Sequence, residues 1–558
     1  MPAQSTSGET LNVADQLTAQ ARQRGEAIAV AMPRGYLRGK RQYATITFAE
    51  LEAETDRLAR GLIELGVTPG TRIALLVRPS IEFIALVFAL LKSGAVQILI
   101  DPGMGRKNLL GCLDAAQPEG FVAIPTVHAV RAMLGRRYRR SRINVTVGPR
   151  MFWNGVTLDQ LRAIGSASDA NLPPMRADDP AAIIFTTGST GPPKGVLYLH
   201  EMFDTQVTEI RDFYNIEPGE VDLPCFPLFG LFNAAMGVTT VIPEMDASRP
   251  ARVDPRKILE AARDWQITQA FGSPAIWNRV GRYCHQRHEQ LPSLRRVLSA
   301  GAPVPGQVLE RMLSCMHPEG EMHTPYGATE ALPVASIEAH EVLGETQAST
   351  NTGAGVCVGR KFPHICWQVI RIVDGPLMTI DRVEPLPVGE IGELIVCGPQ
   401  VTRAYATRRE WNTRAKIIDG HRFWHRMGDV GYLDEQQRFW FCGRLAHRIT
   451  TTEGTLYTIP CEAIFNTHPA VFRSALVGVG SQGRQTPVLI AEPHREHWPR
   501  TAAARRRLLG ELHQLATQNT ATGSIHHFLL HRSLPVDIRH NAKIFREQLA
   551  PWAMARLS

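Results

Sequence analysis

Residues 181–198 read AAIIFTTGSTGPPKGVLY and carry the most informative pattern in the chain. The first five residues are apolar, which predicts a buried strand. Directly after them come small residues whose backbone N–H groups and hydroxyls are free to donate to phosphate oxygens. These residues are Thr186, Thr187, Gly188, Ser189, Thr190 and Gly191. Lys194 adds a mobile positive charge, so the segment predicts a phosphate-binding loop at the end of a strand.

Two other interpretations compete with this one. A P-loop needs Gly directly before its Lys and Ser or Thr directly after, whereas here Pro193 precedes Lys194 and Gly195 follows it. The P-loop is therefore rejected. A purely structural glycine-rich turn stays open, although it does not explain why so many donors and a cation follow a buried strand.

On either side of this segment the chain alternates between short apolar runs and helical patterns. Upstream, residues 73–77 and 96–100 are apolar runs, and residues 81–91 between them have helical spacing. Alternation at this spacing predicts parallel strands buried on both faces. Still earlier, Thr47 and Glu50 form a capping box ahead of a helical stripe of leucines.

Downstream the same rhythm returns and then changes. Strands are predicted at 269–271 and 296–299, and helices open near Pro255, Pro274 and Pro305, the last running to about residue 316. From about residue 371 the texture becomes β-rich, with strands at 388–398 and 438–442. A strand at 475–479, a helix at 502–517 and a helix ending near residue 552 complete an α/β chain.

Composition limits the classes of function. The chain has 558 residues, 44% hydrophobic and 20% charged, so it can bury a large core and wholesale disorder is excluded. The net charge is +8, and only residues 131–142 form a dense basic cluster, interpreted as a solvated loop or a membrane-adhesive patch. Without an aromatic ladder beside it, nucleic acid is not expected. Nine scattered cysteines, and no apolar stretch long enough for a span or signal, predict a cytoplasmic protein with at most peripheral membrane contact.

Further motifs follow the loop in a fixed order. They are SAGAP at 299–303, YGATE at 326–330, MGDVGYLD at 427–434, CGRLAHR at 442–448 and PVDIRHNAK at 535–543. With TTGSTGPPKG at 186–195, this set resembles the adenylate-forming (ANL) superfamily of acyl-CoA synthetases, adenylation domains and luciferases. The resemblance covers nearly the whole chain. It implies a large N-terminal domain, residues 1–443, with two βαβ-layered subdomains and a β-barrel-like one, and a small mobile α+β lid, residues 444–558.

The resemblance also implies the residue roles, with ATP and Mg²⁺ as cofactors. The loop from Thr186 to Lys194 would hold the β- and γ-phosphates, and Glu330 would coordinate Mg²⁺. Thr329 would donate to the α-phosphate, and Asp429 would accept the ribose hydroxyls. Lys543 would be the decisive cation between the substrate carboxylate and the α-phosphate. The adenine and nucleotide contacts would come from Gly301, Ala302, Pro303, Tyr326, Gly327 and Arg444.

The acyl pocket of this superfamily matches residues 224–238, PCFPLFGLFNAAMGV. It is apolar and aromatic and has no acidic residue for a substrate amine, which favours a fatty chain over an amino acid. Two departures put CoA transfer in doubt. Thr450 stands where a lysine is usual, and Glu453 falls in the stretch that lines the pantetheine tunnel in thioester-forming members. His447 is the hinge candidate, with an ordinary surface histidine as the other interpretation.

The whole-chain texture is similar to the β-lactone-forming branch of the superfamily, from bacterial long-chain olefin biosynthesis. It implies adenylation of a long-chain 2-alkyl-3-hydroxy acid, followed by attack of the 3-hydroxyl on its own activated carbonyl. A reductase and a β-lactone decarboxylase, in a multi-enzyme assembly, are the expected partners. Two alternatives stay open: a fatty acyl-CoA or acyl-carrier-protein ligase, and a non-catalytic lipid- or nucleotide-binding homologue.

Overall fold

The computed structural model describes residues 10–186, 192–226, 229–537 and 543–557. Its helices alternate with strands through the first 350 residues and recur near the end of the chain. The α-helices are Asp15–Arg24, Phe48–Glu64, Ile81–Lys92, Arg106–Ala116, Pro125–Met133, Leu158–Ser166, His200–Phe213, Phe229–Met236, Pro255–Asp264, Pro274–Arg287, Gly306–Leu313, Ala339–Glu341, Gln347–Asn351, Asn412–Ala415, Thr458–Asn466, Ala502–Thr517 and Arg546–Leu557.

The first sheet carries the hairpin around the predicted phosphate loop at its edge. Across the described part of the chain it has seven strands, parallel except for the last pair. In spatial order they are Val156–Thr157, Ile143–Thr146, Gly120–Ala123, Arg72–Leu76, Val96–Leu99, Pro180–Thr186 and Lys194–Leu199. The predicted strand–helix–strand unit at 73–100 is therefore confirmed, and Ile81–Lys92 packs in the core beside this sheet.

The second sheet is the larger α/β layer and has nine strands among the described residues. In spatial order they are Arg360–Lys361, Ala331–Glu338, Glu321–Ala328, Arg296–Ser299, Gln269–Gly272, Val221–Pro224, Thr239–Val241, Ile28–Leu37 and Lys40–Thr47. The six from Glu321–Ala328 to Ile28–Leu37 are parallel. Parallel strands end at one edge, so the turns after Ser299 and Ala328 open on the same side of the sheet.

The third sheet is antiparallel. Its path, in the residues that are described, is Val356–Cys357, Phe439–Arg444, Arg422–Leu433, Gly392–Cys397 and Cys366–Ile370, and Lys416–Asp419 pairs with Arg422–Leu433. The sequence predicts β-rich structure from about residue 371, whereas this sheet already begins at Val356. The strand predicted at 388–398 is shorter, because Gly389 has a φ of +86° and turns the chain before Gly392.

The last part of the chain forms two small sheets and three helices among its described residues. One sheet contains Val471–Val479, Thr486–Pro493 and His527–Leu530, and a two-stranded one pairs Ile449–Thr450 with Thr455–Leu456. Helix Thr458–Asn466 packs against Phe439–Arg444, so this part contacts the third sheet. The terminal helix continues to Leu557, past the predicted end near residue 552, because buried Leu549 and Ala553 hold it against strand Val471–Val479.

Candidate active site

The predicted phosphate loop connects two antiparallel strands. Thr186, the last residue of one strand, is paired with Lys194, the first residue of the next. Thr187, Gly188, Ser189, Thr190 and Gly191 lie outside the described residues. Gly195 has to be glycine here, because a Cβ atom would lie 2.8 Å from Ile183 Cγ2 and 3.0 Å from Thr407 Oγ1. Its N–H donates to Thr407 Oγ1 at 2.8 Å, which fastens the base of the hairpin.

Lys194 lies between aromatic rings. Its Nζ is 3.7 Å from the ring centroid of Trp411 and 5.3 Å from that of Tyr405. Burial lowers the pKa of Lys194, the nearby Glu330 opposes that shift, and the positive charge of Arg444 adds to it. A partly desolvated cation between ring faces is attracted to the rings and to any anion that enters beside them.

The YGATE turn is held in place by hydrogen bonds from distant residues. Tyr198 Oη donates to the Thr329 carbonyl oxygen at 2.6 Å. Tyr405 Oη donates to Glu330 Oε1 at 2.9 Å, and Thr402 donates to the Glu330 carbonyl oxygen from N and from Oγ1, at 2.9 and 3.0 Å. Backbone and side chain of Glu330 are therefore both positioned, and its carboxylate lines the cleft.

A buried lysine supports this turn from below. Lys416 is 6% exposed, and its Nζ donates to the Thr402 carbonyl oxygen and, at 3.2 Å, to Thr402 Oγ1. Burial lowers the pKa of Lys416 to about 7, against the attraction of Glu330. Across the ladder Lys416 is paired with His425, whose pKa is held well below its usual value by burial and by the lysine charge.

Asp429 and Arg444 face each other on neighbouring antiparallel strands. Arg444 Nη1 donates to Asp429 Oδ1 at 2.6 Å, and Tyr326 Oη donates to Oδ2 at 2.5 Å. The Asp429 charge raises the pKa of Arg444. The pKa of Tyr326 is raised mainly by burial and further by the Asp429 charge. The carboxylate is thus fixed in direction, and its remaining lone pairs are available to accept from a ligand.

The segment predicted to contact adenine follows strand Arg296–Ser299. Ser299 is buried, and its Oγ has no hydrogen-bond partner among the described residues. The chain then turns at Gly301, with φ at +97°, and Gly301, Ala302 and Pro303 line the same cleft as Tyr326 and Gly327. An unsatisfied buried hydroxyl beside an open cleft is a group that a ligand can satisfy.

Lys543 and Asp537 are joined by two hydrogen bonds. The Lys543 N–H donates to Asp537 Oδ1, and the Asp537 N–H donates to the Lys543 carbonyl oxygen, both at 3.0 Å. Lys543 lines the cleft that also contains Glu330, Asp429 and Arg444. Residues 538–542 of the lysine motif lie outside the described residues.

Two residues downstream of Arg444 have predicted roles: His447 as the hinge and Glu453 beside a pantetheine tunnel. His447 ends a short 3-10 turn, Leu445–His447, and lines the cleft. Burial, followed by the charges of Arg546 and Arg444, lowers its pKa to about 3, so the imidazole is neutral at physiological pH. Glu453, expected beside a pantetheine tunnel, is exposed at the turn between Ile449–Thr450 and Thr455–Leu456, outside the cleft lining.

One wall of the cleft is aromatic. Phe226, Phe229 and Phe232 form a chain of ring contacts, with centroids 6.0 Å apart at each step, and Phe229 stacks on Phe271 at 3.5 Å. Gly230 lies between these rings in the sequence, and a Cβ there would lie 3.3 Å from Thr240 Cγ2. Pro227 and Leu228, in the same predicted segment, lie outside the described residues.

The cleft is large for a ligand site. Its volume is about 2540 Å³, against about 300 to 1,000 Å³ for an ordinary small-molecule pocket. Apolar side chains of helix Ile81–Lys92 line it together with the phenylalanine wall; they include Phe83, Val87, Phe88 and Leu91. The space is sufficient for a nucleotide together with a long apolar group.

The sequence motifs led to Lys194, Glu330, Asp429, Arg444 and Lys543, and the structure brings all five to this one cleft. They did not lead to the residues that fix those groups in place: Tyr198, Thr402, Tyr405, Trp411 and Lys416. The available signal was weak: a Tyr, a Trp and a Lys within twelve residues of an otherwise polar stretch.

Both α/β layers and the antiparallel sheet contribute residues to one cleft. The amide bond synthetase McbA from Marinactinospora thermotolerans shares this fold, with a TM-score of 0.77 and 22% identity over 97% of this chain and 99% of that one. The AMP-binding enzyme family matches residues 17–406, and the chain belongs to that family. The predicted fold class and superfamily are thereby confirmed.

Two curated relatives are similar over almost their full length. The olefin beta-lactone synthetase of Stenotrophomonas maltophilia (strain K279a) is 45% identical over 98% of this chain and 98% of its own length. The olefin beta-lactone synthetase of Xanthomonas campestris pv. campestris is also 45% identical, over 97% of each chain. The expectation of an AMP-forming, ligase-type enzyme agrees with both.

Proposed function

We propose that this chain adenylates a long-chain 2-alkyl-3-hydroxy fatty acid with ATP and closes the product to a β-lactone, releasing AMP and pyrophosphate. One observation carries the proposal: a fixed carboxylate, Asp429, and a wall of phenylalanines line the same oversized cleft. The full-length similarity to two olefin beta-lactone synthetases gives the reaction.

The polar end of the cleft would bind the nucleotide. Asp429 accepts from the ribose hydroxyls with its free lone pairs, while Tyr326 and Arg444 hold its direction. The loop between Thr186 and Lys194 donates to the β- and γ-phosphates. Glu330, an oxygen ligand already oriented by Tyr405, is suited to Mg²⁺, which when bound neutralises phosphate charge.

Adenylation brings two anions together. The substrate carboxylate attacks the α-phosphorus, and negative charge gathers on the phosphate oxygens as pyrophosphate leaves. Lys543 supplies an ammonium for that charge, and Thr329 donates its hydroxyl to the α-phosphate. Both act as oriented electrostatic stabilisers in a cleft that excludes much of the bulk water.

Ring closure needs no second substrate. The 3-hydroxyl of the bound acyl adenylate attacks the activated carbonyl, and the new C–O bond closes a four-membered ring. AMP leaves with the acyl-oxygen bond electrons, and the hydroxyl proton passes to the departing phosphate. Holding the two groups in contact supplies a high effective molarity. The apolar wall around Phe229 and Phe271 positions the alkyl chains and keeps water from the anhydride.

The test is to incubate the protein with ATP, Mg²⁺ and a 2-alkyl-3-hydroxy fatty acid, with and without CoA, and to identify the organic product by mass spectrometry. We expect a β-lactone in both arms. The matched control is the same acid without the 3-hydroxyl, which should support pyrophosphate exchange and give no lactone.

Two results contradict the proposal. A thioester formed only with CoA makes the protein an acyl-CoA ligase, and the exposed position of Glu453 leaves room for that outcome. Pyrophosphate exchange at background with every acid makes it a non-catalytic binding protein.

The proposed reaction also predicts partner enzymes: a reductase that supplies the β-hydroxy acid and a decarboxylase that consumes the lactone. Their membership in one assembly can be tested by co-purification.

A further inference from the structure

We infer that one surface of the seven-stranded layer docks on an anionic phospholipid bilayer. This surface, called the basic apolar patch, surrounds the end of helix Pro125–Met133 and the turn at 148–155. Its members are Val130, Met133, Met151, Phe152, Arg136, Arg139 and Arg142. The inference does not depend on the proposed reaction.

The apolar half of the patch is unusually exposed. Val130 is 49% exposed, Met133 81%, Met151 68% and Phe152 71%. Thirteen large apolar side chains are exposed in the described part of the chain, and these four lie within 23 consecutive residues. Val130 and Met133 stand on the helix, and Met151 and Phe152 stand on the turn that Arg131 joins to it. Exposed apolar side chains on adjoining elements mark an interaction surface, whereas isolated ones are ordinary.

These side chains stand on a rigid base. Arg131 Nε donates to His128 Nδ1 at 3.2 Å, and Arg131 Nη2 donates to Asn154 Oδ1 at 2.9 Å, which joins the helix to the turn. Trp153 stacks on His128 at 6.0 Å, and Phe152 packs edge-on against Trp153 at 5.2 Å. Arg131 begins the basic run at 131–142, but it is buried and braces the turn, so it does not belong to the exposed cluster.

The charged half supplies the complement to anionic lipid. Arg136, Arg139 and Arg142 are exposed, and within the described residues no carboxylate lies at ion-pair distance from any of them. Their neighbour Arg137 pairs with Asp114, so it does not add to this charge. Arginines beside exposed Met and Phe side chains are the composition of a surface that lies on a membrane interface.

The patch adjoins the cleft. Val127 lines the cleft and lies one turn before Val130 on helix Pro125–Met133. An apolar molecule leaving a bilayer at the patch would reach the cleft along this side of the helix. That route, unlike the docking itself, rests on the proposed function.

The test is co-sedimentation of the full chain with vesicles of phosphatidylglycerol and phosphatidylcholine in equal amounts, against phosphatidylcholine alone. Each arginine near an anionic surface contributes about fivefold to partitioning. The triple variant Arg136→Gln/Arg139→Gln/Arg142→Gln should therefore lower binding about 100-fold. The double variant Met133→Ser/Phe152→Ser should lower it about tenfold or more.

Matched controls remove the same groups elsewhere. Arg500→Gln/Arg505→Gln/Arg506→Gln leaves the same net charge as the patch variant, and Leu37→Ser/Met378→Ser removes two other exposed apolar side chains. Both controls should bind as the parent chain does. The inference is overturned if the triple arginine variant of the patch and its control at 500–506 bind vesicles equally well. It is also overturned if the parent chain binds neutral vesicles as well as anionic ones, or if duplex DNA displaces all of the bound protein. A second readout, pyrophosphate exchange with a short soluble acid, should be unchanged in the patch variants.

Discussion

Arg444 donates a hydrogen bond to Asp429 across two neighbouring antiparallel strands, with Nη1 2.6 Å from Oδ1. Because Tyr326 donates to the other oxygen at 2.5 Å, the carboxylate is oriented before any nucleotide enters. A preoriented acceptor costs little conformational entropy on binding, so its loss should appear chiefly as weaker nucleotide binding.

Asp429→Asn should lower kcat/KM for ATP by about ten- to 100-fold, since a hydrogen bond to a charged group contributes about 1.5–3 kcal/mol. The measurement is steady-state pyrophosphate release at varied ATP. Asp212→Asn, on an exposed surface, should leave kcat/KM unchanged. An unaltered ATP dependence in Asp429→Asn would remove this residue from the nucleotide site.

Lys543→Ala should lower acyl-adenylate formation by about 100-fold or more, the scale for losing one electrostatic stabiliser of a transition state. ATP-pyrophosphate exchange measures this step alone. Lys107→Ala changes an exposed lysine and serves as the control. Near-normal exchange in Lys543→Ala would assign the cationic role to another residue.

Lys416 makes stability depend on pH. Its pKa is about 7 in the fold, below the ordinary value of about 10.4, so between these limits the unfolded chain binds a proton that the folded chain does not. Stability should therefore rise with pH across this window, by up to about 1.4 kcal/mol per pH unit.

Lys416→Met should abolish that contribution, and the comparison of urea midpoints at about pH 7 and about pH 9 measures it. Effects of other titrating groups cancel in the difference between parent and variant. If the urea midpoints of the parent and Lys416→Met change equally with pH, the Lys416 ammonium is not desolvated.

His447 should make adenylation sensitive to acid. With a pKa of about 3 in this arrangement and about 6.5 when exposed, the imidazole is protonated below about pH 6.5 only where it is exposed. Acid therefore favours arrangements in which His447 has left Arg444 and Arg546. Adenylation should fall by up to about tenfold per pH unit below that value, and His447→Gln should flatten the profile. His340→Gln, an exposed histidine, should follow the parent enzyme.

Local patterns predicted the elements whose causes are local. The capping box of Thr47 and Glu50 starts helix Phe48–Glu64, and Asp254 caps the helix that opens with Pro255. The helix expected from Pro305 to about residue 316 begins at Gly306 and already ends at Leu313. Capping hydrogen bonds span three residues, so a sequence displays them directly, whereas the exact end of a helix depends on the packing around it.

The supports of the candidate site could not be predicted in this way. Tyr405 donates a hydrogen bond to the Glu330 carboxylate, 75 positions earlier in the chain. Lys416 donates a hydrogen bond to Thr402, and Thr402 donates one to the Glu330 carbonyl oxygen. Lys416 begins a strand that pairs with Arg422–Leu433, and it is buried there. No short window of sequence contains both Glu330 and the residues that hold it, Tyr405 and Thr402, so these contacts have no local signature.

The ion pair of Arg546 with Glu462, at 2.6 and 2.7 Å, fastens the segment that carries Lys543 to helix Thr458–Asn466. Burial raises the pKa of Glu462, against the pull of Arg546. In a hybrid of this chain, a tail without Arg546 would leave the buried Glu462 without its ion-pair partner. In a hybrid of this chain the boundary is therefore best placed before Thr458, so that the helix and the tail come from the same protein.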